Sequence, residues 1–332
     1  MTNNMQLRFM NVGYGEAILL CCPTADGKTF TMLIDGGSDE DAEFLGHPNR
    51  IRSAQQLKAL GIKRLDVVLN THIHEDHTCG LPQIINEVEV GEYWCCPLPE
   101  GFEDLGELNL DLSGHPSGVK FQCALNAQQE MLRALKKRGV PVRQLLINSK
   151  LPEYCQNLSI DVLGPSLDET EMMLALLASI YAQQDEAEKK RLLLKADSIM
   201  NNHSVILKLT YNKTQILLCG DTNAQGFGYI KPELLRADIF KLGHHGQLDS
   251  ATPETVKLIS PRALAICASS DRRYGSMSPD VLSMFKEYNP NTLFLLSDTP
   301  DLPPWTNGVP EHFAAELLID AEGQISLKYI SE

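Results

Sequence analysis

The segment that most constrains this chain is the run Leu65–Asn70, which passes without a break into Thr71-His-Ile-His-Glu-Asp-His77. A short, largely apolar run of this kind predicts a buried strand. Three imidazoles and two carboxylates then fall within seven residues, in a chain of 332 that has only nine histidines. Clustering by chance is improbable on that count. Neutral imidazole and carboxylate are ligands for Zn²⁺ and other first-row divalent ions. His72 and His74, two apart on an extended loop, point the same way and can share one ion. Asp76 and His77, beyond the bend, can reach a second.

The remaining pattern supplies such strands. Gln6–Asn11, Ala17–Cys22 and Phe30–Ile34 read as strands, with a turn at Thr24-Ala-Asp-Gly27 and an end at Asp35-Gly-Gly37. Arg50–Leu60 has helical spacing and stops at Gly61. A helix at Leu81–Val88 and a strand at Gly91–Cys96 follow; residues 97–126 are rich in turns, and Gln128–Arg138 is helical. Strands are predicted at Gln144–Asn148 and Ser159–Leu163. Leu167–Asp197 changes character: it is rich in Glu, Ala, Leu and Lys, lacks Gly and Pro, and predicts one or two amphipathic helices. This insertion packs on the domain, or serves as a lid or a dimer contact.

A hairpin, Ser204–Thr210 and Thr214–Cys219, then ends at Gly220-Asp221, and the strand Ile239–Leu242 leads into Gly243-His-His-Gly246. Pro253–Ile259 and Pro279–Tyr288 read as helices, Ala263–Ala268 and Thr292–Leu296 as strands, and the tail as a hairpin of Ala315–Ile319 and Gln324–Ile330. Two similar series of strands and helices predict two sheets with helices outside, an αββα layering. Asp35, the 72–77 cluster, Asp221 and His244 all fall just after strands, so one edge of the sheet pair can gather them.

Charge and cysteines narrow the function classes. The net charge of −14 repels phosphate backbones at long range, so nonspecific coating of nucleic acid is disfavoured. The most apolar stretch, Met172–Ala182, is too short to span a bilayer. The opening MTNNMQLRFM has no basic segment followed by an apolar one, so no signal peptide is expected. Nine cysteines, including the adjacent pairs Cys21-Cys22 and Cys95-Cys96, show no CxxC spacing. They read as small buried residues in a reducing, cytoplasmic compartment.

Thr-His-x-His-x-Asp-His resembles the signature of the metallo-β-lactamase fold superfamily. Asn11-Val-Gly-Tyr-Gly-Glu-Ala17, Leu33-Ile-Asp-Gly-Gly37, Asn201-Asn-His-Ser204, Leu218-Cys-Gly-Asp221, Lys241-Leu-Gly-His-His-Gly246 and Arg273-Tyr-Gly-Ser-Met-Ser-Pro279 stand in the order of one subgroup. That subgroup is related to the metallo-β-lactamase domain of the bacterial DNA-uptake channel protein. The resemblance implies an α/β, four-layer αββα sandwich, one domain over 1–332, with 167–197 as a helical insertion. The channel protein's membrane segments have no counterpart here, which implies a free-standing soluble relative.

The resemblance also implies a site. His72 and His74 would hold a first ion; Asp76, His77 and His244 a second; Asp221 would bridge both, and Asp35 would orient the cluster from behind. His203 is the candidate third imidazole on the first ion, with Asn202 as the alternative. Consecutive residues after a strand point opposite ways, so only one of His244 and His245 faces the ions. His244 is preferred because it follows the strand directly, leaving His245 to contact substrate or donate a proton. Lys241 is a candidate cation for a substrate phosphate. Asp76 or Asp221 would accept the proton. Ser276 stands where the subgroup has histidine.

The expected activity is hydrolysis by a hydroxide shared between two divalent ions, Zn²⁺ by default or Mn²⁺. The expected substrate is a small phosphodiester, nucleotide-like or a headgroup, with nuclease action disfavoured by charge. Hydrolysis of a carboxylic ester, lactone or thioester is the alternative, as is a metal-binding scaffold that has lost turnover. No membrane partner is expected, and a homo-oligomer is compatible with the sequence.

Overall fold

In the computed structural model, residues 4–331 are described; the first three residues of the amino-terminal reading and the last residue of the expected domain lie outside them. Among the described residues no helix is long and apolar enough to cross a membrane. The strands are β1 (Met5–Met10), β2 (Ile18–Pro23), β3 (Thr29–Ile34), β4 (Arg64–Asn70), β5 (Glu89–Cys95), β6 (Val142–Gln144), β7 (Leu158–Gly164), β8 (Ile206–Tyr211), β9 (Thr214–Leu218), β10 (Ile239–Lys241), β11 (Ala263–Ile266), β12 (Leu293–Leu296), β13 (Ala314–Ile319) and β14 (Ile325–Ile330). The helices are α1 (Ser53–Ala59), α2 (Glu75–Thr78), α3 (Leu81–Glu87), α4 (Pro116–Lys137), α5 (Leu167–Ala182), α6 (Glu186–Ile199), α7 (Pro232–Leu235), α8 (Pro253–Ile259) and α9 (Pro279–Tyr288).

The strands form two sheets, in the orders β14-β13-β1-β2-β3-β4-β5-β6 and β12-β11-β10-β9-β8-β7. Strands β3 to β6 run parallel, as do β9 to β12, while the remaining pairs are antiparallel. The period-two alternation of the second sheet shows why the molecule is layered. Ile216, Leu218, Ile239, Ala263, Ala265 and Leu295 join a core that also holds Phe9, Leu20 and Met32 of the first sheet. Their strand neighbours Leu217, Phe240, Leu264, Ile266 and Leu296 face the other way, into a second core with Val256, Ile259, Val281 and Phe285 of α8 and α9. A sheet apolar on both faces must be covered on both, which gives the expected αββα layering.

Two expectations shift, and one left open is narrowed. The helix expected over Gln128–Arg138 begins at Pro116, so it takes in part of the stretch that reads as turns. Its inner face, Phe121, Ala124, Leu125, Gln128, Met131, Leu132 and Leu135, keeps helical spacing; Gly118 and the polar residues around it hide its first turns in the sequence. The strand expected over Gln144–Asn148 is short and ends at Gln144. The insertion is two helices, and Ser166 caps the first through a reciprocal capping box with Glu169. It packs on α4: a Cβ on Gly118 would meet Leu194 of α6 at 2.6 Å.

Candidate metal centre

Four parallel strands end on one edge of the sandwich, and each releases part of the site. Asp35 follows β3, the 72–77 loop follows β4, Asp221 follows β9, and His244-His245 follow β10. The register sets β3 beside β4 (Ile34 opposite Leu69) and β9 beside β10 (Leu218 opposite Lys241), so neighbouring loops arrive together. Gly15 lets the β1–β2 connection close over the centre: its φ is +143°, and a Cβ there would collide with the Asp76 carbonyl oxygen.

Donor atoms of Asp76, His77, Asp221 and His245 lie within 4.8 Å of one another. His245 Nε2 is 2.9 Å from both Asp76 Oδ2 and Asp221 Oδ2. His77 Nε2 is 3.4 Å from Asp221 Oδ2 and 3.7 Å from Asp76 Oδ2. The far nitrogens are committed elsewhere. His77 Nδ1 donates to Asp35 Oδ2 at 2.7 Å, and His245 Nδ1 donates to the Cys267 carbonyl at 2.7 Å. Each Nε2 is therefore left facing the shared point, buried and without an aligned hydrogen-bond partner.

Electrostatics agree with that reading. Burial opposes charge on His245, yet the Asp221 and Asp76 carboxylates outweigh it and carry its pKa to about 9. His77 is pushed well up in the same way, against burial, by Asp221, Asp35 and Asp76. Burial likewise opposes charge on Asp76, and His77 and His245 still hold it below the carboxylate range. The cluster attracts positive charge, and its mixed nitrogen and oxygen donors fit a divalent cation.

His72 and His74 lie alongside, with His72 Nε2 3.1 Å from His74 Nδ1. That spacing is shorter than two metal–nitrogen bonds of ~2.0–2.1 Å, so one ion can touch both. Burial, with His77 and His74 nearby, pushes the pKa of His72 well down, which keeps the ring neutral. Asp35 ties the two groups together. Its Oδ1 accepts from the Thr71 backbone N–H at 2.7 Å, and its Oδ2 accepts from Thr71 Oγ1 at 2.7 Å as well as from His77.

Three expected roles are corrected. His244 and His245 exchange places: the chain leaves the extended conformation just after Gly243, and both histidines sit in left-handed backbone, φ +43° and +51°. Strand alternation no longer applies there. His245 turns inward, while the His244 ring faces the cavity rim with its Nδ1 2.8 Å from Asp249. His203 turns away from the metal cluster: its Nε2 donates to the Pro97 carbonyl at 3.0 Å, and burial pulls its pKa down to about 4. The third-imidazole position is thus not filled by His203. Asn202 also turns elsewhere, its Oδ1 accepting from the Asn223 backbone N–H at 3.1 Å, and Asn201 is the residue of that triplet that lines the cavity. Lys241 is fully buried behind the centre. Its Nζ donates to the Gly220 carbonyl at 2.9 Å, pairs with Glu16 and lies 3.5 Å from Asp221 Oδ1, so it braces Asp221 and is out of reach of a substrate.

His74, Asp76 and Asp221 of the centre line a cavity of about 390 Å³. Its walls include Tyr14, Glu75, Lys120, Phe121, Asp197, Gln247 and Tyr274, to which the sequence alone assigns no role. Tyr14, Glu75 and Tyr274 lie inside the quoted motifs, so their position was a usable signal. Lys120 and Phe121 sit in the stretch without a legible pattern, and Asp197 at the end of the insertion carries no local signal. Burial and the neighbouring Asp76 raise Glu75 to about 7.

Residues 11–107 match the model of the metallo-beta-lactamase superfamily. Over 294 residues the chain is 22% identical to ComE operon protein 3 of Bacillus subtilis (strain 168), covering 86% of this chain and 31% of that protein. The chain thus spans about a third of the relative's length. Among solved structures it is similar to human tRNase Z, short form, with 13% identity, 88% and 92% of the two chains covered and a TM-score of 0.39. It is also similar to a diphosphatase from the PhnP family, with 12% identity, 79% and 85% covered and a TM-score of 0.39. The matched segment bears Asp35 and the 72–77 cluster, which the two helix-flanked sheets bring to one edge, so over residues 11–107 the chain is similar to the metallo-beta-lactamase superfamily.

Proposed function

We propose that this chain is a metal-dependent hydrolase acting on a small phosphodiester, nucleotide-like or a headgroup. The observation that carries the reading is the pair of adjoining donor sets, Asp76, His77, Asp221 and His245 beside His72 and His74, of which His74, Asp76 and Asp221 line one cavity. Divalent ions there, Zn²⁺ or Mn²⁺, would acidify a water and draw off charge developing on the scissile group. The chain's own groups then do the rest. Asp221 has one oxygen among the imidazoles and the other toward Lys241, which fixes its orientation. Asp76, at the cavity surface, is placed to take a proton from the attacking water. Among the described residues Lys120 is the one lysine or arginine lining the cavity, suited to an anionic group, and Tyr14, Phe121 and Tyr274 offer ring surface for the rest of a compact substrate. The net charge of −14 favours a small substrate over a polymer. On sequence grounds the reaction belongs in the cytoplasm.

The test is hydrolysis of bis-p-nitrophenyl phosphate against p-nitrophenyl acetate, before and after metal is stripped and restored. Metal-dependent turnover of the phosphodiester is expected. Turnover of the carboxylic ester alone would overturn the substrate class, and stoichiometric metal with turnover of neither would overturn the enzyme.

A further inference from the structure

The helical insertion ends against the metal centre. Asp197, in the last turn of α6, places Oδ1 3.3 Å from His74 Nε2, and its own carbonyl oxygen lies 3.3 Å from the same nitrogen. Its Oδ2 accepts from Ser117 Oγ of α4 at 2.7 Å, which fixes the carboxylate. Both side chains are mostly buried, at 11% exposure for Asp197 and 18% for His74. The His74 ring also stands edge-on to Phe121, with centroids 5.8 Å apart.

The proton count follows from these contacts. A neutral imidazole has one N–H. Nε2 of His74 meets two oxygens of Asp197 that can only accept, so the proton sits there and Nδ1 carries the lone pair. His72 is set in the opposite sense. Thr71 Oγ1 donates to Asp35, so toward His72 Nδ1, 3.1 Å away, it accepts, and His72 keeps its lone pair on Nε2. The two lone pairs then face each other across 3.1 Å. Without a cation between them they repel; with one they become its two imidazole donors.

We propose that Asp197 is a positioning residue for the first ion: it locks His74 as the Nε2–H tautomer, so the helical insertion builds part of the metal centre. This rests on the reading that His72 and His74 hold an ion. It also gives the insertion a role besides packing, because the carboxylate and the carbonyl that face His74 Nε2 both come from α6.

The experiment compares wild type with Asp197→Ala and Asp197→Asn, using Zn²⁺ titration against a competing chelator and ¹⁵N NMR of the histidines in metal-free protein. Wild type should bind two equivalents and show His74 protonated on Nε2. Asp197→Ala should weaken one equivalent by ~10–100-fold, the usual cost of losing such a partner, and mix the His74 tautomers. The equivalent held by Asp76, His77, Asp221 and His245 should not change. Asp197→Asn, still an acceptor, should restore much of the lost affinity. Unchanged binding and tautomer in Asp197→Ala would overturn the proposal, as would equal weakening of both equivalents with a lower melting temperature. If wild type takes up no zinc, the metal reading itself fails, while the His74 tautomer in metal-free protein still decides whether Asp197 sets it.

Discussion

Substituting His245 and His244 one at a time separates two imidazoles that are adjacent in sequence and differ in role. His245→Ala should remove one equivalent of bound metal and lower turnover by more than ~100-fold, since even an outer partner costs ~10–100-fold. His244→Ala, whose ring faces Asp249 and the cavity rim, should keep full metal content. Metal analysis with steady-state kinetics checks both, and the reverse pattern would restore the strand-alternation expectation. His203 allows a second test at this scale. Its pKa of about 4 lies below the usual imidazole value of 6.5. Its neutral form therefore contributes stability that is whole above pH 6.5 and is lost as pH falls through 4, up to ~3 kcal/mol. His203→Gln, which still donates to Pro97, should flatten that acid loss and leave metal content unchanged. Denaturant melts at pH 7.5, 5 and 4 measure it; an unaltered pH dependence would contradict the buried, neutral state.

Among elements, α4 and α6 carry the consequence least visible in the sequence. Leu193, fully buried on α6, anchors the insertion within the main core. Leu193→Ala should cost ~2–5 kcal/mol, in the range for a buried leucine that leaves a cavity. Because Asp197 lies one turn further on, the same variant should loosen zinc at the His72–His74 pair; a lower melting point with intact zinc binding would show that α6 holds Asp197 without Leu193. The strands were largely legible because apolar runs and alternation are local, and several stop at or beside Gly, Asp or Asn, as β1, β3, β4, β7, β8 and β13 do. The first turns of α4 were not, because Ser117, Gly118 and Lys120 look like loop residues until α6 and the cavity give them neighbours. The single turn α2, inside the metal motif, escaped for a related reason: four residues carry too little periodicity to distinguish a helix turn from a loop.

For the whole molecule, the proposed ions join loops from both sheets, so they should stabilise the fold as well as the reaction. Ligand bound only in the folded state adds ~2.7 kcal/mol when its free concentration is a hundred times its dissociation constant. Chelation should lower the melting temperature by roughly 5 °C, and restored zinc should recover it; differential scanning calorimetry reads this directly, and no shift would argue against a bridging ion. The charge of −14 should also leave duplex DNA unbound at ~0.15 M salt in a mobility-shift assay, where screening reaches only ~8 Å. The sequence by itself determined the layering and the edge on which the chemistry gathers, because alternation and strand-ending residues are local properties that survive in any context. It also singled out His72, His74, Asp76, His77, Asp35 and Asp221, which sit in or beside short motifs. Only the tertiary structure decided between His244 and His245, turned His203 toward Pro97, buried Lys241 against Glu16 and brought Asp197 to His74. Those outcomes depend on left-handed turns and on partners distant in the chain, and a side chain's direction there is set by what it packs against.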